Sequence, residues 1–153
     1  MTNMHLSSLG LVPCDVLIVE DDVIQCEEIA GFLRRAGLAV EIAHDGVSAL
    51  CRAAAHRPRV ALLDYNLPDE TGVQLAEQLR ALLPQTAIIM MSGRIDGLSE
   101  QVLEKLGITV FVNKPLPLAP LRSAVLRLVR SIPQRSEQHH QRCWLSTGLG
   151  GTR

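Results

Sequence analysis

Five short apolar runs, each followed by a longer segment whose apolar residues recur at helical spacing, constrain this chain more than anything else in it. Uninterrupted apolar runs of that length suit strands covered on both faces. The pattern therefore points to a doubly wound α/β fold, a five-stranded parallel sheet with helices on either side.

Residues 15–19 read as the first strand. The helix after it, 22–36, has Ile24, Ile29, Phe32 and Leu33 as apolar positions and Gly37 as its stop. A second strand over 38–43 leads to a helix that Asp45 can cap, which carries Val47, Leu50 and Ala54 and closes at Arg57-Pro58. The third strand is 60–63. A loop with Pro68 and Gly72 follows, then a helix through Leu75, Leu79 and Leu82 that stops before Pro84. Strand 86–91, a short helix over 98–106, strand 109–112 and a last helix over 118–132 complete (βα)5. Residues 14–132 thus make one domain, flanked by an N-terminal extension, 1–13, and a tail, 133–153, rich in Gln, Ser, His and Gly with no clear period, which reads as flexible.

Charge divides along the same line. Up to Val112 there are 8 basic and 15 acidic residues, whereas the remainder carries 7 basic residues and one acid, Glu137. A net charge of -1 overall argues neither for nucleic acid nor for an acidic substrate, and direct DNA binding is not expected because no recognition module follows the domain. Arg122, Arg127 and Arg130 read as a solvated helix face. No apolar run approaches the roughly 20 residues of a membrane helix, and 1–10 lacks the basic start and apolar middle of a signal peptide. Cys14, Cys26, Cys51 and Cys143 form no CxxC pair, and the five histidines have no spacing for a metal or catalytic pair. The expectation is a cytoplasmic protein with reduced thiols.

In an open parallel sheet ligands bind beyond the carboxyl ends of the strands, so the residues there carry the argument. The first strand runs into Glu20-Asp21-Asp22, the third into Asp64, the fourth into Ser92, and the fifth is followed by Lys114-Pro115. Glu20-Asp21-Asp22 alone would suit an acidic first helical turn, and Asp64 alone a turn before Pro68. Together they gather carboxylates that repel unless a cation sits among them, and an oxygen-only set points to magnesium, with manganese as the alternative. Asp64 at the rim is then a candidate nucleophile, and Lys114 a point charge for the developing phosphoryl group. The chain has 13 Arg and only two Lys, which makes a lysine at that rim informative.

Val19-Glu20-Asp21-Asp22, Leu63-Asp64-Tyr65-Asn66-Leu67-Pro68, Met91-Ser92-Gly93 and Asn113-Lys114-Pro115 together resemble the response-regulator receiver family of two-component signalling, in its single-domain, chemotaxis-Y-like form. The resemblance covers residues 14–132. It implies the flavodoxin-like fold, metal ligation by Glu20, Asp21, Asp64 and the backbone carbonyl of Asn66, and phosphoryl acceptance by Asp64. It also implies phosphoryl contacts from Ser92 and Lys114, a switch formed by Ser92 and Phe111, and tuning of phosphoryl lifetime by Asn66 and Arg94. The Lys114-Pro115 bond is often cis in such proteins.

The implied partners are a histidine kinase or histidine phosphotransfer protein upstream and an effector protein downstream, met through the last helices and strand by a monomer or homodimer. The protein would catalyse its own phosphorylation and dephosphorylation, not turnover of a metabolite. Three other readings are weighed against this one. A receiver scaffold that works without phosphate is disfavoured by intact Asp64, Ser92 and Lys114. A magnesium-dependent phosphohydrolase commonly has an acid two residues after its nucleophile, where Asn66 stands. A segment of a hybrid histidine kinase is disfavoured by Met1 and the irregular tail.

Overall fold

The computed structural model describes residues 14–93 and 100–132. Along them run β1 (Val16–Val19), α1 (Val23–Arg35), β2 (Val40–Ala43), α2 (Gly46–His56), β3 (Val60–Asp64), α3 (Gly72–Leu82), β4 (Ala87–Ser92), α4 (Glu100–Lys105), β5 (Ile108–Asn113) and α5 (Leu118–Ser131). The expected extension 1–13, the tail 133–153, Arg94 and the start of the fourth helix lie outside the described residues.

All strand pairs are parallel, in the order β2-β1-β3-β4-β5. Side chains alternate along each strand and fill two cores. Val16, Ile18, Val60, Leu62, Ile89 and Met91 face α1 and α5, where Ile29, Leu33, Leu121 and Val125 meet them. Leu17, Val19, Ala61, Leu63, Ile88 and Met90 face α2 and α3, where Ala49, Ala53, Leu75 and Leu79 meet them. Burial on both faces is why these strands read as unbroken apolar runs.

Helix ends fall where local chemistry puts them. Asp22 accepts from Gln25 N–H at 3.1 Å at the start of α1, and Gly37 takes φ 88° just past its end. Asp45 accepts from Ser48 N–H at 2.7 Å, and Arg57 closes α2 at φ 45° before Pro58. Thr71 and Gln74 form a reciprocal capping box on α3. Pro120 sits in the first turn of α5, where a missing N–H breaks no helical bond.

The buried stripes differ from those expected. Ile24 is 81% and Val47 67% exposed, and Ala54 is exposed as well. The expected Ile29 and Leu33 are buried, but Cys26 and Ala30 share their face in α1, and Ala49 and Ala53 face the sheet in α2. Residues three and four apart lie on one side of a helix, and Ile24, Val47 and Ala54 fall off it.

Candidate functional site

The chain leaves β1 for β2 on one side and β3 for β4 on the other, so a crevice opens at the carboxyl ends of β1 and β3. Glu20 follows β1, Asp64 and Ser92 end β3 and β4, and Lys114 follows β5. Register aligns these ends: Val19 pairs with Leu63, Asp64 with Met91, and Ser92 with Asn113.

Glu20, Asp21 and Asp64 each bring a carboxylate oxygen within 4.8 Å of the others. Glu20 and Asp64 are buried, and Asp21 is exposed at the mouth. Lys114 Nζ donates to Glu20 Oε2 at 2.8 Å and to Gln25 Oε1 at 3.2 Å, and lies 3.3 Å from Asp64 Oδ1. One ammonium, paired with two of them, thus stands beside a cluster of three carboxylates, an excess of negative charge that a cation would offset. The all-oxygen donor set fits magnesium.

Burial pushes the Glu20 carboxyl up to about 7, with Lys114 pulling against the rise and Asp64 adding to it. Burial works to lower the Lys114 ammonium, but its bond to Glu20 and the nearby Asp64 charge outweigh burial and hold it above its ordinary value.

The surrounding backbone is tied in. Asp22 N–H donates to Glu20 Oε1 at 3.2 Å, and His44 Nδ1 donates to the Glu20 carbonyl at 2.8 Å. Asn66 N–H reaches Asp64 Oδ1 at 3.4 Å, and Lys114 N–H donates to the Ser92 carbonyl at 2.9 Å. Lys114 and Pro115 are joined by a cis peptide bond, as is often so in the family that the chain resembles. Ser92 is buried, whereas Phe111 is half-buried, paired in register with Met90 and packed on the α2 and α3 side of the sheet. Arg94 lies outside the described residues.

Sequence reasoning missed two contributors. Gln25 is the third oxygen on Lys114; its place one helical turn after the acidic run was the available signal. Gly72 was read only as a loop glycine. A Cβ there would stand 2.5 Å from the Asp64 carbonyl oxygen and 2.8 Å from Met90 Sδ, so glycine lets α3 begin against the back of the site.

Comparisons with known proteins point the same way. The description "Response regulator receiver domain" matches residues 16–126. Response regulator MprA of Mycobacterium avium is 34% identical over 116 residues, which are 75% of this chain and 50% of that protein; MprA of Mycobacterium ulcerans matches to the same extent. The chain therefore spans about half the length of these curated relatives. Among solved structures, a CheY-like receiver domain from Methanospirillum hungatei superposes with a TM-score of 0.73 at 25% identity, covering 78% of this chain and 95% of that one. Chemotaxis response regulator CheY4 of Vibrio cholerae gives 0.68 at 28% identity, covering 76% and 99%.

Proposed function

The chain belongs to the response-regulator receiver family of two-component signalling, and from that premise we propose that it is a phosphorylation switch with Asp64 as its phosphoacceptor. The observation that carries the reading is the cluster of Glu20, Asp21 and Asp64 with Lys114 Nζ 3.3 Å from Asp64 Oδ1. The donor is a histidine kinase or histidine phosphotransfer protein. An Asp64 carboxylate oxygen forms a bond to phosphorus as the phosphorus–nitrogen bond of the donor's phosphohistidine breaks. The bonding pair stays on the imidazole, and an acyl phosphate remains on the protein.

Glu20, Asp21, Asp64 and the Asn66 carbonyl would hold magnesium, which when bound supplies counter-charge to the phosphoryl oxygens. Lys114 then turns from its carboxylate partners toward a phosphoryl oxygen, and Ser92 donates to another. Added negative charge at Asp64 pulls on Ser92 and Lys114 at the ends of β4 and β5, and Phe111, half-buried on β5, repacks. The readout is partner binding at the face of α4, β5 and α5. Asn66 and Arg94, each two residues beyond a phosphoryl-contacting residue, set how fast water removes the group.

Incubation with acetyl phosphate, followed by intact mass, tests the proposal. A phosphate adduct that requires magnesium and vanishes in Asp64→Asn is expected. An adduct that persists in Asp64→Asn would place the acceptor elsewhere, and no adduct under any condition would favour a scaffold that works without phosphate.

A further inference from the structure

The loop between β3 and α3 leaves Asp64, passes Asn66 and returns to Gly72, and its far side is fastened to a different helix. Asp69 Oδ1 accepts from Gly46 N–H at 2.9 Å, and Asp69 Oδ2 accepts from Val47 N–H at 3.1 Å. These are the first two amides of α2, which helical bonding leaves without partners. Asp45, the helix's own cap, takes the third through Ser48 N–H. Asp69 is therefore a second cap supplied from another segment, with both carboxylate oxygens engaged and a negative charge at the positive end of a helix.

A second observation shows that the loop is seated there. At Gly46 a Cβ would run into the Glu70 side chain, whose Oε2 is held in turn by Gln78 Nε2 at 2.6 Å. The Glu70 side chain thus also lies against the start of α2. On the near side, Asn66 N–H reaches Asp64 Oδ1, the oxygen that also faces Lys114 Nζ, and Asn66 bridges to Thr71. The loop is held between the reacting carboxylate and α2.

We propose that Asp69 is a positioning residue for phosphoryl acceptance: seated on the Gly46 and Val47 amides, it fixes the loop so that Asn66 stays in register with Asp64. The proposal rests on the reading of Asp64, Glu20 and Asp21 as a magnesium-dependent acceptor site. Asp69 touches neither metal nor phosphate, and its effect passes through the backbone of 65–68.

The full chain, Asp69→Ala, Asp69→Asn and Asp45→Ala are compared by magnesium calorimetry, initial rate of acetyl phosphate labelling, thermal midpoint, and amide exchange at Asn66 without metal. Asp45→Ala is the control, since it uncaps the same helix without touching the loop. Asp69→Ala is expected to weaken magnesium binding and slow labelling by roughly threefold to tenfold, the size of a lost hydrogen bond or two, with faster exchange at Asn66. Asp69→Asn, which keeps an acceptor, should recover part of this. Asp45→Ala should lower the midpoint comparably yet leave affinity, rate and Asn66 exchange near those of the unmodified sequence.

Equal effects from Asp69→Ala and Asp45→Ala, or unchanged affinity and exchange in Asp69→Ala, would overturn the proposal. If the unmodified protein binds no magnesium, the reading of the site fails instead, and Asn66 exchange still decides whether Asp69 anchors the loop.

Discussion

Glu20 concentrates the electrostatic conflict of the site in one side chain, because it is buried beside Asp64 with Lys114 as its counter-charge. Its carboxyl rises from an ordinary 4.5 to about 7. In the metal-free protein its contribution to stability is therefore fully present below about pH 4.5 and is lost as pH rises through about 7. A divalent cation held there would need the ionised form, so its binding should strengthen as pH rises through the same window. Magnesium should raise the unfolding midpoint more at roughly pH 8 than at roughly pH 5.5; thermal scans at both values check this, and the reverse order would remove Glu20 from the cation site. Gly72 makes a separate prediction, since a methyl group there meets the Asp64 carbonyl backbone. Gly72→Ala should cost about 1–3 kcal/mol in urea unfolding and slow phosphoryl labelling. Unchanged values of both would show that the start of α3 does not brace the site.

At the scale of elements, strands and helix ends were legible and the buried helix faces only partly so. Two-sided burial marks a strand by its own residues, and a cap is a bond within three residues, so both are local signals. Which side of a helix meets the sheet is set by packing between segments, and small residues such as Cys26, Ala30, Ala49 and Ala53 on the buried face carry a weak apolar signal beside the exposed Ile24 and Val47. Periodicity picks Ile29, Leu33, Leu75 and Leu79 correctly but adds Ile24, Val47 and Ala54, which face away from the sheet. The consequence is measurable in α1: Ile24→Ser should stay within about 0.5 kcal/mol, whereas Leu33→Ala, fully buried between helix and sheet, should cost about 2–5 kcal/mol in urea unfolding. Similar costs for the two would contradict the observed face.

Over the whole molecule, a parallel sheet sends every strand's carboxyl end to one edge, and this is why Glu20, Asp64, Ser92 and Lys114 could be grouped from sequence though spread over 95 positions. Gln25, Gly72 and the seat of Asp69 on α2 were not legible, because each acts through contacts between segments whose spacing carries no motif. Glu20, Asp21 and Asp64 meet at the crevice, whereas Arg122, Arg127 and Arg130 are exposed on α5. Arg122 lies 5.1 Å from the Phe32 ring centroid, a packing role that needs no nucleic acid. Among the described residues no helix is long and apolar enough to cross a membrane. The central claim, that this edge makes Asp64 the acceptor, is tested most directly by trapping the acyl phosphate. After labelling with acetyl phosphate and magnesium, borohydride reduction converts a phosphorylated aspartate to homoserine, and peptide sequencing by mass finds the position. Homoserine at position 64, absent without magnesium, is the predicted result; homoserine at 21 or 22 with an unmodified Asp64 would contradict it.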